Sequence, residues 1–315
     1  MSLAKLLYGG LASHLPRRAY TMSGQPVDAR YGYSVWLRHL VTLHKHGIRG
    51  PFRTVVELGP GNSIATGVSA LMSGAERYIG LDVLQHLAMQ TNTAVLEQVQ
   101  QLFTDHAVIP DSNVYPRLRP HLDDYSFPEK VLADQRGMTT PRPTRMQDIR
   151  DAVNHLPRAD STMDTLRYIT PWQSTSLASE SVDLVFTQAV LQEIPHDRQP
   201  NGLSGTIQTI AHWLKPGGCM SHQIDLGIYG LEPWNLHWKW SGLTWQLVRG
   251  RRDNFVNREP LSTYEGLLNS FGLTLIAAER VESDGITRNK LAPRYRHLPE
   301  QDLRTRSVTL IAVKQ

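Results

Sequence analysis

The chain has 315 residues, a 40% hydrophobic share and a mean hydropathy of −0.33, the profile of a soluble globular protein with one large core. No run approaches the roughly 18 apolar residues of a membrane helix, which excludes a spanning segment. A net charge of +4 and a pI near 9.2 are only mildly basic, and no aromatic-interleaved basic stripe points to nucleic acid.

The start, MSLAKLLYGGLASHL, carries a short apolar patch followed by basic residues but no export pattern. Cys219 stands alone, which excludes an internal disulfide and suits a reducing cytoplasm. Within residues 1–50, taken as a helical N-terminal cover, Tyr33, Trp36, Leu37, Leu40 and Leu43 recur at helical spacing, with Gly47 as the stop. Tyr31, Tyr33 and His39 on that helix either touch ligand or pack into the core, and Tyr33 is kept as a substrate candidate.

Thr54–Glu57 is mostly β-branched and reads as a short buried strand. Leu58 to Ser63 then has the composition of a tight turn, and Ile64, Val68, Leu71 and Met72 mark the helix after it. Gly59 and Gly61 allow a sharp bend and close approach of a ligand to bare backbone. The dinucleotide fingerprint fits poorly, because Ile64 occupies its third small position, and no phosphate-cradling GxxxxGK[ST] occurs. An acid closing the strand, Glu57, suits a cationic, amino-acid-like ligand instead. Asp82 closes a second run, Tyr78–Leu81, about 20 residues after Gly61, the spacing at which an acid grips both ribose hydroxyls.

Between Asp82 and Val182 the chain is longer than one helix and one strand need. Leu84–Phe103 reads as a long helix, Arg145–Leu156 as another, and Leu166–Ile169 as a third strand. An insertion at about 110–164 is expected to cap the site or to form a loosely ordered arm. Arginines crowd there (Arg117, Arg119, Arg136, Arg142, Arg145, Arg150, Arg158 and Arg167), interspersed with Asp123, Asp124, Asp148 and Asp151. Such a segment either recognises an acidic substrate or is a solvated face, and the mixed signs favour the solvated face.

Four motifs in order now resemble the class I S-adenosylmethionine-dependent methyltransferases. They are Glu57-x-Gly59-x-Gly61 with Ser63 at the third glycine position, Asp82, the strand and turn Ser181–Glu193, and Leu214-Lys215-Pro216-Gly217-Gly218 before a fifth strand. The resemblance implies a Rossmann-like, doubly wound α/β fold with a seven-stranded sheet, its last strand antiparallel, under a helical N-terminal cover and inserted lids. It implies S-adenosylmethionine as cofactor, with S-adenosylhomocysteine as product. The residues holding it would be Glu57, Gly59, Pro60, Gly61, Asn62, Ser63, Asp82 and Val83, with Gln188 and Ala189 near its methionine end. The acid that the family often places near the adenine is absent, so Pro171 and Trp172 are expected to pack there by apolar contact.

Glu193 and His196 follow the fourth strand, where acceptors bind in many small-molecule members; His222 and Asp225 end the fifth. These four are the candidate catalytic bases, since a hydroxyl acceptor benefits from a group that takes its proton. His222-x-Ile224-Asp225-Leu226, then Asn257-Arg258 and Thr263-Tyr264, narrows the likeness to methyltransferases of bacterial surface-polysaccharide and glycan assembly. Those relatives often carry an Asp-His pair where Ile228 and Tyr229 stand, so no metal site is expected. Trp234, Trp238, Trp240 and Trp245, with Tyr229, form an aromatic lid at about 227–250. It either stacks on sugar faces or packs on the core. Tyr229, Trp234, Trp238, Asn257 and Arg258 join Tyr33 as substrate candidates.

The expected partner is a small-molecule or glycan acceptor, with a homodimer left open. The expected activity is methylation of a sugar hydroxyl by in-line displacement. A natural-product or lipid methyltransferase, or a non-catalytic cofactor-binding assembly partner, are the alternatives.

Overall fold

The computed structural model describes residues 3–14, 28–87, 92–135, 143–156, 164–196, 202–252 and 255–315. Arg136, Arg142 and Arg158 lie outside these residues. Seven strands form one sheet: β1 (Thr54–Leu58), β2 (Arg77–Leu81), β3 (Leu166–Ile169), β4 (Val182–Gln188), β5 (Leu214–Asp225), β6 (Leu273–Glu282) and β7 (Thr305–Lys314). Their order is β3-β2-β1-β4-β5-β7-β6. The first five are parallel, and β7 runs antiparallel between β5 and β6. Strand order reverses between β1 and β4, the point at which an open parallel sheet offers a crevice beyond its carboxyl ends.

Ten helices accompany the sheet among the described residues: α1 (Leu3–Ala12), α2 (Ala29–Lys45), α3 (Ala65–Met72), α4 (Asn92–Thr104), α5 (Glu129–Asp134), α6 (Pro143–Asn154), α7 (Leu203–Trp213), α8 (Gly242–Arg249), α9 (Leu261–Ser270) and α10 (Glu300–Arg304). The side chain of Asp28 caps α2 by accepting from the Arg30 amide at 2.9 Å, and the same carboxylate takes the Tyr115 hydroxyl. α2 packs so closely on α3 that a Cβ at Gly32 would lie 2.4 Å from that of Ala65. One core joins α2, α3, α4 and α6 to one face of the sheet through Leu184, Phe186 and Cys219. A second core fills the opposite face under α7 and α9, through Val185, Met220 and Ile224. The alternation of β4 and β5 side chains divides these residues between the two faces.

α2 is thus a core helix rather than a loose cover, because twelve of its seventeen residues are buried. Tyr33 is fully buried, donates to the Ala107 carbonyl and meets Phe103 edge-on, so it packs and does not reach substrate. The long helix expected over Leu84–Phe103 is shorter, since α4 begins at Asn92. The chain just after β2 stays non-helical because Tyr168 on β3 holds it: the Tyr168 hydroxyl accepts from the His86 amide and donates to the Leu84 carbonyl, each at 3.3 Å. Leu214–Gly218 is a bulged start of β5 rather than a separate turn, with pairing that jumps from Val182–Leu214 to Leu184–Cys219. Lys215 there reaches Asp183 at 2.6 Å.

The segment after α4 wraps around the start of α2. The Arg38 guanidinium is fully buried and donates to the carbonyls of Pro110 (2.6 Å), Leu118 (2.9 Å) and Pro120 (2.9 Å) and to Ser34 Oγ (3.0 Å). A rigid fork of donors suits this task, because several carbonyls of an irregular loop need partners at once.

Candidate active site

The turn after β1 is built on two glycines in the left-handed region, Gly59 at φ +72 and Gly61 at φ +71. They face different surroundings. A Cβ on Gly59 would lie 2.6 Å from Val190, so the β1 and β4 turns touch. A Cβ on Gly61 would meet nothing within 4 Å. The Gly59 amide donates to Leu81 at 2.8 Å, laying the turn over the end of β2. Pro60, Gly61, Asn62 and Ser63 are all part-exposed, and Ser63 accepts from the Ala65 amide at the start of α3.

Asp82 is only 6% exposed. Its carboxylate accepts from the Val83 amide at 2.8 Å, and burial pushes its pKa up against that bond and those from Leu84 and Gly61. Val83 and Leu84 are more than half exposed, an apolar step beside this acid. Trp172 reaches the same place, its amide donating to the Asp82 carbonyl at 3.2 Å and its ring meeting Trp213 edge-on at 5.6 Å; Pro171 is exposed beside it. These residues fit a ribose-and-base-bearing ligand: bare glycine backbone open above, an acid with local amide partners, and apolar surface to either side. Glu57 differs from the expectation. It is 3% exposed, receives the Tyr78 hydroxyl, and is pushed up to about 8 by burial, with the Tyr78 bond opposing and Asp82 adding. It ties β1 to β2 under the turn and reaches a ligand only through its neighbours.

At the ends of β4 and β5 a chain of polar side chains runs beneath the crevice: Ser221, His39 and Gln223 are buried, and Gln188 and Asp225 carry its accessible surface. Ser221 Oγ lies 2.7 Å from His39 Nδ1, and His39 Nε2 lies 3.1 Å from Gln188 Oε1. Gln188 Nε2 donates to Gln223 Oε1 at 3.1 Å, and Gln223 Nε2 donates to Asp225 Oδ1 at 3.0 Å. One direction satisfies every member: His39 is neutral with its proton on Nε2, and Ser221 donates to its Nδ1. Burial holds the imidazole down to about 4, so it stays neutral at physiological pH. Ala189, at φ +57, turns the chain immediately after β4, and its amide donates to the Gln223 carbonyl at 3.1 Å.

Of the four candidate bases, the structure seals off His222 and leaves Glu193, Asp225 and His196 exposed or part-exposed. Glu193 follows β4 in a single 3-10 turn, part-buried and pushed up to about 7 by burial. Asp225 ends β5 exposed to solvent yet closely surrounded. That crowding raises its pKa, against Gln223, Arg119, Arg306 and Arg117. His222 has no exposed surface. It points into the second core with Nδ1 2.9 Å from Thr187 Oγ1, and burial takes it down to about 3, so it is neutral and sealed. The reason is strand alternation, which sends Ser221 and Gln223 to the crevice side and His222 to the other. His196 lies exposed in the turn beyond Glu193.

The aromatic stretch corrects the substrate candidates further. Trp234 and Trp238 are at most 1% exposed: Trp234 donates to the Ser283 carbonyl at 3.0 Å, and Trp238 stacks on Tyr295 at 5.2 Å. Large rings with nearby apolar partners gain more from burial than from waiting at a surface. Arg258 is buried among them, donating to Trp240 O at 2.7 Å with its guanidinium over Trp245 and Tyr295. Asn257 is a clamp: its amide group donates to the carbonyls of Leu191 (3.0 Å) and Ile194 (2.9 Å), fixing the turn that carries Glu193. Tyr229 alone of the named aromatics is exposed, at 74%, with Arg117 stacked 4.1 Å from its ring centre.

Sequence reasoning missed Gln223; it left Tyr31 and His39 between ligand contact and core, and it set Arg119 on a solvated face. Tyr31 is pushed up to about 12 by burial, with the charges of Glu57 and Asp225 adding, which sets it between the ends of β1 and β5. Among the described residues no group of three or more His, Cys, Asp or Glu is placed to hold a metal ion. No described helix is long and apolar enough to cross a membrane. A depression lined by Ser174, Gln208, His212, Phe271 and Lys314 lies towards the opposite ends of the strands and holds none of these residues.

No family model matches the chain, and no curated protein is matched by its sequence. Among solved structures it is similar to a SAM-dependent methyltransferase from Methanosarcina mazei, at 12% identity over 86% of this chain and 96% of that one, with a TM-score of 0.44. It is also similar to the Burkholderia thailandensis 1,6-didemethyltoxoflavin-N1-methyltransferase with bound 1,6-didemethyltoxoflavin and S-adenosylhomocysteine, at 14% identity over 99% and 88%, TM-score 0.41. A third is an S-adenosylmethionine dependent methyltransferase from Mesorhizobium loti, at 13% identity over 83% and 90%, TM-score 0.38.

Proposed function

We propose that the protein is a cytoplasmic S-adenosylmethionine-dependent methyltransferase acting on an acceptor hydroxyl, of a sugar, glycan or sugar-derived molecule. The observation that carries this reading is the convergence at the reversal of strand order. There the open glycine turn after β1, the acid after β2 and the polar ends of β4 and β5 border one crevice. The cofactor would rest on Gly59–Ser63 against Asp82, Val83, Pro171 and Trp172, with Gln188 and Ala189 towards its methionine end. When bound, it supplies a methyl group already activated on a sulfonium.

The chain's own residues then have two tasks. The first is alignment, which contributes most of the acceleration in such a displacement. The amide of Gln188 and the carboxylate of Asp225, both held in place by the buried amide of Gln223, offer fixed polar groups suited to neighbouring hydroxyls. The second is proton removal. Glu193, pushed up to about 7, has the proton affinity of a general base near neutral pH, and Asn257 fixes its turn. As the acceptor oxygen gains the methyl, its proton passes to the Glu193 carboxylate. A candidate base of this kind supports oxygen as the acceptor atom, since a hydroxyl needs a base in order to react.

The test is calorimetric titration of wild type and Asp82→Ala with S-adenosylmethionine and S-adenosylhomocysteine. Binding with a Kd of about 1 to 100 μM, weakened by about 10- to 100-fold in the variant, is expected. Absence of binding by either ligand to wild type would sink the reading.

A further inference from the structure

The mouth of the crevice is bounded by arginines that carry no carboxylate ion pair. Arg38 holds the 110–120 segment by carbonyl oxygens, with Ser34 and the ring of Tyr125 (5.0 Å) as its other partners, so a positive charge is buried beneath that loop. Arg119, part-exposed on the same loop, donates to the carbonyls of Pro116 (3.0 Å) and Leu118 (3.1 Å), which fixes its orientation. Arg117 is exposed and lies flat on Tyr229, just beyond the end of β5. Among the described residues none of these three has a carboxylate oxygen within ion-pair distance. Arg306, which borders the same end of β5 through the bond from the Leu226 amide to its carbonyl (2.9 Å), is neutralised by Glu232 at 2.9 Å.

The acids facing the cluster are Asp225 and Asp111, so the three guanidiniums of Arg38, Arg117 and Arg119 meet two carboxylates and an excess of positive charge remains. Asp225 feels Arg119, Arg306 and Arg117 together. Asp111 spends its oxygens on Asn113 and the Val114 amide. His121 on the same loop is held down by burial and then by Arg119 and Arg38, so the field there is positive. A fixed guanidinium and a stacked one beside the exposed end of β5 form a receptor for anionic oxygens, because guanidinium donors match carboxylate and phosphate geometry.

Building on the methyltransferase reading, we infer that the acceptor carries a carboxylate or phosphate group, which Arg119 and Arg117 receive at the mouth of the crevice beside Asp225. The anion would anchor the acceptor while its hydroxyl faces Gln188 and Asp225. The solvated-face reading of this arginine-rich segment is thereby narrowed, since Arg117 and Arg119 border the site.

The test uses the full chain saturated with S-adenosylhomocysteine, titrated with D-glucuronate, glucose 1-phosphate and D-glucose while tryptophan fluorescence and calorimetric heat are followed. At least one acidic sugar is expected to bind about tenfold or more tightly than D-glucose, as one charge-assisted contact provides. Which of the two binds distinguishes carboxylate from phosphate. Arg119→Gln is expected to remove that advantage and Arg117→Gln part of it, with S-adenosylhomocysteine affinity unchanged in both. Equal binding of all three sugars, no binding by any, or an acidic preference that survives Arg119→Gln would overturn the inference. Because S-adenosylhomocysteine binding is measured first, failure of the cofactor reading registers separately.

Discussion

The two halves of the crevice are built differently. On the side of β1 and β2 the ligand surface is backbone, and the side chains beneath it are sealed: Gly61 is open, Glu57 is tied to Tyr78, and Asp82 is engaged by amides. On the side of β4 and β5 the surface is side chain: Gln188 and Asp225 joined through the buried Gln223, Glu193 near neutrality, and the arginines Arg117 and Arg119 across the mouth. A backbone surface serves a ligand that never changes. A side-chain surface can be re-cut for a new acceptor without disturbing the turn that holds the other partner.

The sharpest way to separate the halves is Glu193→Gln. Turnover is expected to fall by about 10²- to 10⁴-fold, as for loss of a general base, with S-adenosylhomocysteine affinity intact. Wild-type kcat/KM should climb through pH about 7 as Glu193 loses its proton, and this limb should vanish in the variant. Unchanged turnover with the limb retained would move the base to Asp225. Asp82→Ala strikes the other half: a loss of about 10- to 100-fold in cofactor affinity is expected by calorimetry, with the denaturant midpoint little changed.

His39→Phe crosses the division. It leaves Ser221 and Gln188 without a buried partner and should cost about 1–3 kcal/mol in urea unfolding. Acceptor KM should rise while cofactor affinity holds; a fall in cofactor affinity instead would show that the row belongs to both ligands. The smallest effect is electrostatic. Glu57 binds its proton more tightly in the folded chain than unfolded, so its contribution to stability is complete below about pH 4.5 and is lost as pH rises through about 8. Glu57→Gln should flatten the decline in melting temperature over that window, and an unaltered slope would place the titrating group elsewhere.

The same division decides what could be read from the sequence. Gly59, Gly61 and Asp82 were legible because strand, turn and helix follow one another locally and the spacing to the acid reflects one crossover. The polar row was not, since His39 and Ser221 are 182 positions apart and meet only when α2 lies across the sheet. His222 looked as promising as Asp225; only the phase of β5 separates them, and a bulge at its start shifts that phase. Trp234 and Trp238 misled because a ring that stacks on sugar and one that fills a core have the same composition. The helix expected from Leu84 fell short because the tether from Tyr168 arrives from a strand more than eighty positions later.

The place of β7 bears on the order in which the molecule assembles. It is the last strand in chain order, yet it lies inside the sheet, and β6 is attached only through it. Five parallel strands can therefore gather before either arrives, while β6 has no partner until β7 is present. Hydrogen exchange should show β6 and the β6-facing amides of β7 opening as one cooperative unit, of lower stability than the parallel strands that carry the crevice.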